Sequence, residues 1–201
     1  WIIFAALCIA VLGGLVIVSR GNQINVSGVD ETKIIAASAQ NGEIADHVLG
    51  TTTGKATLIE YGDFQCPACK SAYPNVKDLT TTYKDQLVFI FRNLPLTSIH
   101  PNARAGAAAA EAAGLQGKYW EMHDKLYEQQ DTWSTAATDQ RTAYLVGYAQ
   151  TIGVKDVNKF KADLDSKAVS DKINFDLALA NKIKASATPT ILLNGKQIES
   201  D

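Results

Sequence analysis

Two cysteines separated by two residues are the side chains of this sequence best suited to chemistry. Cys66 and Cys69 enclose Pro67 and Ala68, and they follow the apolar run Ala56–Tyr61 where a helical pattern begins. Unpaired N–H groups and the helix dipole stabilise a thiolate at a helix N-terminus. The spacing therefore predicts a dithiol/disulfide redox centre. We expect Cys66 to be the nucleophile and Cys69, one turn deeper, to be the resolving thiol.

Two other uses of the cysteine pair remain open from the residues alone. A structural disulfide that closes so short a loop gains little unfolded-state entropy compared with one that closes a long loop. A zinc site would need two further ligands, and the chain has no second cysteine pair and no nearby pair of histidines. We expect no metal, and no cofactor other than the redox-active disulfide Cys66–Cys69.

The elements that must position this motif follow an α/β pattern. Apolar, β-branched or turn-bounded runs predict strands over 47–50, 56–61, 87–92, 190–193 and 196–199. The last two strands are joined by Asn194-Gly195, which is typical of a type I′ hairpin turn. A helix is predicted from Cys66, with apolar residues at three- to four-residue steps. Pro67 takes its favoured first turn, and Pro74 should kink it.

About a hundred mostly helical residues separate the strand at 87–92 from the strand at 190–193. Helices are predicted over 103–113, 119–129, 139–151, 157–164 and 169–183. A crossover between two strands of one sheet needs only one helix of this length. The sequence therefore predicts an α/β domain over 46–201, with an all-helical insert at about 100–168.

The first residues differ in character from the rest of the chain. Trp1–Val18 is uncharged, and as a helix it would span roughly 27 Å, close to the hydrocarbon thickness of a bilayer. We predict a transmembrane anchor over 1–19 and a polar linker over 20–45. A cleavable signal peptide is the alternative, but its apolar region is usually about 7–15 residues long. An anchored domain with a reactive cysteine pair favours the extracytoplasmic side of the membrane.

Charge argues against one class of partner. The formal net charge is −2, and neither a basic stripe nor a run of like charges is present. Nucleic-acid binding normally needs such a basic surface, because phosphates must be neutralised. We therefore expect no nucleic-acid partner.

The order of these elements, with Thr188-Pro189 before the final hairpin, resembles the thioredoxin fold. The helical insert resembles that of the DsbA-like thiol-disulfide oxidoreductases, in their membrane-anchored or secreted bacterial form. The segments that carry this resemblance are 46–50, 60–66, 100–103 and 116–124, with sequences DHVLG, EYGDFQC, HPNA and QGKYWEMHD. The resemblance covers roughly residues 46 to 199.

The resemblance implies roles for further residues. Pro189 matches the family's cis-proline, which lies opposite the dithiol and leaves the backbone of Thr188 free to pair with a client strand. Pro67, Ala68 and Thr188 would then contact the client. Glu60 matches an acidic residue beneath the site that assists proton transfer to the resolving thiol. The alternatives are an ordinary trans proline at 189 and a solvated carboxylate at 60.

These expectations combine into one leading function. It is a membrane-tethered, extracytoplasmic disulfide oxidase that introduces disulfides into reduced exported proteins through Cys66 and Cys69. Its membrane partner would be a quinone-linked reoxidase of the DsbB or VKOR type. A reductase or isomerase, and a non-catalytic chaperone-like module that binds clients through its insert, are the alternatives. DsbA-like domains normally continue with a helix after the final hairpin. The sequence stops at Asp201, so we expect this helix to be missing from it.

Overall fold

A computed structural model of the chain describes residues 24–198. The predicted anchor over 1–19 and the residues beyond Ile198 lie outside this range. Between 24 and 198, none of the helices has the length and apolar character needed to cross a bilayer. The strands are β1 (Val48–Gly50), β2 (Ala56–Gly62), β3 (Leu87–Asn93), β4 (Thr190–Leu193) and β5 (Lys196–Ile198). The α-helices are α1 (Pro67–Thr82), α2 (Ala103–Gly114), α3 (Tyr119–Glu128), α4 (Gln130–Trp133), α5 (Thr138–Thr151), α6 (Val157–Asp163) and α7 (Lys167–Lys182).

The five strands form one mixed sheet in the order β1-β3-β2-β4-β5. β2 and β3 are parallel, and the other neighbours are antiparallel. Asn194 and Gly195 both have positive φ, at 49° and 78°, as a type I′ turn requires. The antiparallel pairing of β2 with β4 brings the carboxyl end of β2 beside the start of β4, where Tyr61 pairs with Thr190.

Side-chain alternation along β3 divides the core into two layers. Phe89 and Phe91 pack with α1 and the insert, whereas Val88 and Ile90 pack with α7. Successive side chains of a strand point to opposite faces, so the apolar run Leu87–Phe91 of this fully buried strand serves both layers. Five helices, α2 to α6, form the insert before α7 returns along the sheet. This arrangement confirms the predicted α/β fold with a helical insertion.

The prediction of a linker over 20–45 is wrong for the part that the structure describes. Val26 and Ile44 are buried in the core. The guanidinium of Arg92 donates to the backbone carbonyl of Lys33 at 2.8 Å, and its ion pair with Asp46 measures 2.7 Å. Isolated apolar residues in a polar stretch give no periodicity, so the packing of these residues could not be predicted from the sequence. The folded unit therefore includes residues well before Asp46.

Candidate active site

The two cysteines lie where β2 ends and α1 begins. Cys66 is the N-cap of α1, and Pro67 occupies its first turn. Cys66 donates its backbone N–H to the carbonyl of Asp63 at 3.0 Å, which closes the turn before the helix. Both cysteines are free thiols; Cys66 is 7% exposed and Cys69 is fully buried. Pro67 and Ala68 are exposed beside them.

The surroundings of Cys66 stabilise its thiolate. The pKa of Cys66 falls to about 5, chiefly because the thiol of Cys69 hydrogen-bonds to it. The side chain of Thr188 and the backbone N–H groups of Cys69 and Ala68 act in the same direction, against the effect of burial. Within residues 24–198 the buried hydroxyl of Thr188 has no hydrogen-bond partner, which leaves it free to donate to the Cys66 thiolate. Cys66 is therefore a thiolate at neutral pH.

Cys69 has the opposite environment. Its hydrogen bond to Cys66, its burial and the nearby Glu60 all raise its pKa, so Cys69 stays protonated. A thiolate nucleophile beside a protonated, buried thiol is the asymmetry that stepwise disulfide exchange requires. The pair can therefore attack with one sulfur and resolve with the other.

Glu60 is a buried carboxyl group on the central strand β2, only 3% exposed. Burial, followed by the negative charge of Cys66, raises the pKa of Glu60 to about 8. The alternative of a solvated carboxylate at an edge is therefore wrong. Gly62 leaves room chiefly for the ring of Phe91, with which a Cβ there would clash, whereas Oε1 of Glu60 would lie 3.1 Å from that Cβ. Glu60 is therefore mostly protonated at neutral pH. It interacts electrostatically with the sulfurs of both Cys66 and Cys69.

Thr188 and Pro189 lie opposite the cysteine motif, just before β4. The peptide bond between them is cis, as the resemblance implied. Sγ of Cys66 lies 3.5 Å from the backbone carbonyl oxygen of Thr188. Both residues are partly exposed, so a bound chain can reach their backbone. The structure thus brings together all the predicted site residues: Glu60, Cys66, Pro67, Ala68, Cys69, Thr188 and Pro189.

Sequence reasoning missed the residues that hold the loop before Cys66. Asp63 is 1% exposed, and its carboxylate accepts hydrogen bonds from the backbone of Gln65 at 2.7 Å and of Leu96 at 2.9 Å. It also meets Nδ1 of His100 at 2.7 Å. Asp63 and His100 both belong to segments that carry the family resemblance, and that was the available signal.

Gln130 was missed for a different reason. Its side-chain amide donates to the carbonyl of Phe64 at 2.8 Å and to the carbonyl of Cys66 at 3.1 Å. The amide of Gln65 donates in turn to Ser134 at 2.7 Å. These bonds fasten residues 63–66, which we call the redox loop, to the insert. Gln130 lies 64 positions from Cys66 in the sequence and in no recognisable motif. No local pattern could have identified it.

Between 24 and 198, no group of three or more histidine, cysteine or acidic side chains is placed to hold a metal ion.

Comparison with known proteins shows where this fold occurs. The sequence model of the thioredoxin family matches residues 43–201. Among curated proteins, the Na⁺/H⁺ antiporter NhaA 1 of Salinispora arenicola is 40% identical over 152 residues, which cover 76% of this chain and 22% of the antiporter. The corresponding antiporter of Mycolicibacterium gilvum is 35% identical over 154 residues, with 76% and 24% covered. The chain thus spans about a quarter of the length of these relatives.

Solved structures give a matching result. BdbD of Bacillus subtilis superposes with a TM-score of 0.66 at 24% identity, covering 84% of this chain and 90% of BdbD. MdbA, a thiol-disulfide oxidoreductase of Corynebacterium diphtheriae, superposes with a TM-score of 0.64 at 18% identity, covering 89% and 94%. DsbA2 of Pseudomonas aeruginosa gives 0.62 at 23% identity, covering 77% and 85%. The chain therefore belongs to the thioredoxin family and has the DsbA-like fold with a helical insertion.

Proposed function

We propose that this chain is a thiol-disulfide oxidoreductase that introduces disulfides into exported proteins through Cys66 and Cys69. The observation that carries the proposal is the opposed chemistry of the two thiols. The pKa of Cys66 is lowered to about 5, whereas that of Cys69 is raised. A stabilised thiolate favours the reduced dithiol, so the corresponding disulfide is a strong oxidant.

The reaction needs only two thiols of the client and the Cys66–Cys69 disulfide. A client thiolate attacks Sγ of Cys66; a client–Cys66 bond forms, the Cys66–Cys69 bond breaks, and Cys69 leaves with the electron pair. A second client thiolate then attacks the client sulfur of this mixed disulfide and expels Cys66 as a thiolate. The client has lost two electrons, and the dithiol has gained them. We propose no cofactor beyond the redox-active disulfide.

Glu60 is proposed to supply the proton that Cys69 needs as it leaves. A thiolate at a fully buried position is costly, so its formation is easier when a proton arrives at the same time. Glu60 is buried, and its pKa of about 8 keeps it protonated at neutral pH. The charge of Glu60 contributes to the raised pKa of Cys69, and this electrostatic interaction supports a proton transfer between the two groups.

Client binding is proposed for Pro67, Ala68 and the backbone of Thr188. Pro67 and Ala68 are exposed beside the reactive sulfur. Thr188 lies just before β4, and Pro189 has no N–H that could pair within the sheet. An extended client segment can therefore align beside Thr188 while its cysteine meets Cys66.

We propose that the domain works on the extracytoplasmic side of a membrane, tethered by residues 1–19. The uncharged first eighteen residues support this location. The matching curated relatives are named as Na⁺/H⁺ antiporters, and a place beside a bilayer would agree with that name. The electrons would pass on to a quinone-linked membrane reoxidase of the DsbB or VKOR type.

Trapping of reaction intermediates tests the chemistry. The oxidised chain is mixed with a reduced, unfolded model protein, and disulfide formation is followed by thiol counting. Wild type should oxidise the protein and Cys66→Ala should not. Cys69→Ala cannot form the internal disulfide, so its Cys66 is first loaded with thionitrobenzoate. A reduced client with a single cysteine should displace the thionitrobenzoate and stay bound to Cys66, because neither Cys69 nor a second client thiol is there to resolve the mixed disulfide. Activity that survives Cys66→Ala would favour a non-catalytic binding module, and the absence of any adduct would overturn the proposed mechanism.

A further inference from the structure

A second cleft lies on the helical insert, apart from the cysteine motif. It has a volume of about 580 Å³ and opens between α2, α5, α6 and α7. α2 contributes the small side chains of Ala105 and Ala108 to the wall of this cleft, together with Arg104. Leu145 from α5 and Ile173 from α7 complete an apolar floor. Its volume is that of pockets that bind small organic molecules.

Three cations line this cleft: Arg104, Arg141 and Lys161. Among residues 24–198, none of the three forms an ion pair. One carboxylate, Asp165, also lines the cleft. The lining therefore carries an excess of positive charge that the described protein does not neutralise.

Neutral acceptors hold both guanidinium groups in place. Arg104 donates to the hydroxyl of Ser170 and to the amide oxygen of Asn174, each at 2.9 Å. Arg141 donates to the amide oxygen of Asn102 at 2.6 Å, and its buried Nε has no partner among residues 24–198. Partial burial without a nearby anion lowers the pKa of Arg104. These are oriented, partly desolvated cations that form no ion pair within the part of the chain that the structure describes.

We propose that this cleft binds a small organic carboxylate with a compact apolar body. A guanidinium fork matches a carboxylate in geometry, and its hydrogen bonds to a charged acceptor are stronger than those to a neutral one. The apolar floor gains by covering a hydrocarbon body of matching size. A bare anion would leave that floor exposed, and a neutral molecule would leave the cations uncompensated.

The test uses the full 201-residue chain in nanodiscs of a neutral lipid, with phenylbutanoate as the probe. Methyl NMR should show shifts at Ala108, Leu145 and Ile173 as the probe is added. Phenylbutanol lacks the charge, whereas acetate and inorganic phosphate lack the apolar body. Each should bind at least about tenfold more weakly, a loss of roughly 1.4 kcal/mol.

Two variants locate the site. Arg104→Gln removes one guanidinium and should weaken phenylbutanoate at least about tenfold. Thr142→Phe adds a ring at an exposed position of the lining and should occlude the cleft without changing its charge. Lys155→Gln removes an exposed positive charge outside the cleft and should leave binding unchanged.

Three results would overturn this proposal. The first is the absence of shifts at the cleft methyls with millimolar phenylbutanoate. The second is equal affinity in wild type, Arg104→Gln and Thr142→Phe. The third is phosphate binding as tight as that of phenylbutanoate, which would show that the floor contributes nothing. Unchanged methyl shifts elsewhere confirm that each variant is folded, and if Arg104→Gln fails this check, Thr142→Phe decides.

Discussion

Cys66 and Cys69 differ in how their surroundings treat a negative charge, although only two residues separate them. The N-terminus of α1 and Thr188 face Cys66, whereas Cys69 is buried one turn deeper above Glu60. This difference follows from helix geometry, because the free N–H groups occur only in the first turn. The motif alone predicted the order of the two thiols, but the contribution of the Thr188 hydroxyl became visible only in the folded chain.

Thr188→Val tests the hydroxyl contribution. Without the hydroxyl, the thiolate of Cys66 loses one stabilising partner, so the pKa of Cys66 should rise. The reduction potential should fall by on the order of 30 mV. Thiolate absorbance against pH measures the first change, and equilibrium with glutathione measures the second. Thr188→Ser keeps a hydroxyl and should resemble wild type; identical values for the valine variant would show that the hydroxyl has no effect.

Glu60→Gln tests the buried carboxyl through the pH dependence of stability. The pKa of Glu60 in the folded chain, about 8, lies above its ordinary value of 4.5. The folded state therefore holds a proton that the unfolded state has already released between these values. Stability from this group is complete below about pH 4.5 and falls as pH rises towards about 8, by several kcal/mol in total.

The glutamine variant should lack this decline. Denaturant unfolding of the oxidised protein, in which neither cysteine titrates, measures the difference between the two proteins. Burial, the larger cause of the raised pKa, remains in that form. Parallel pH profiles of wild type and variant would show that Glu60 does not titrate in this range.

At the scale of elements, the insert acts as a support for the redox loop. Gln130 opens the short helix α4, and its amide bridges the carbonyls of Phe64 and Cys66. Sequence patterns predicted the insert and six of the seven described α-helices, since those signals are local. They gave no sign of α4, which is a single turn, or of hydrogen bonds between residues more than sixty positions apart.

Gln130→Ala should loosen this support. Two carbonyls lose a buried donor, which should cost about 1–3 kcal/mol of unfolding free energy. The reduction potential should change as well, because the carbonyl of Cys66 also accepts the first hydrogen bond of α1. Urea unfolding and redox equilibrium with glutathione check the two effects. Gln140→Ala, at an exposed position of α5, is the matched control; equal losses in both variants would contradict the supporting role.

At the scale of the whole molecule, a buried charge network ties the N-terminal segment to the sheet and to α7. Asp46 meets Arg92 at 2.7 Å and Lys172 at 3.1 Å, and Lys172 meets Asp176 at 2.7 Å. Its members are scattered along the chain, so no sequence pattern connected them. This is why the fold class could be predicted from strand and helix signals, whereas the start of the folded unit could not.

Asp46→Asn should be strongly destabilising. The substitution leaves Arg92 and Lys172 buried with less compensating charge, which typically costs about 3–5 kcal/mol. Residues 24–45 should also become sensitive to protease, because they pack through Arg92. Urea unfolding and limited proteolysis measure both effects. Asp78→Asn, on the exposed side of α1, should leave both unchanged. A stable, protease-resistant Asp46→Asn protein would show that the network does not hold this segment.

The reduction potential of the Cys66–Cys69 couple tests the central claim most directly. Equilibrium of the full chain with glutathione buffers gives the value. The stabilised Cys66 thiolate predicts a potential above about −180 mV, in the range of proteins that oxidise others. A potential at or below about −270 mV, as in thioredoxin, would contradict the proposed direction of electron flow and would make the chain a reductase.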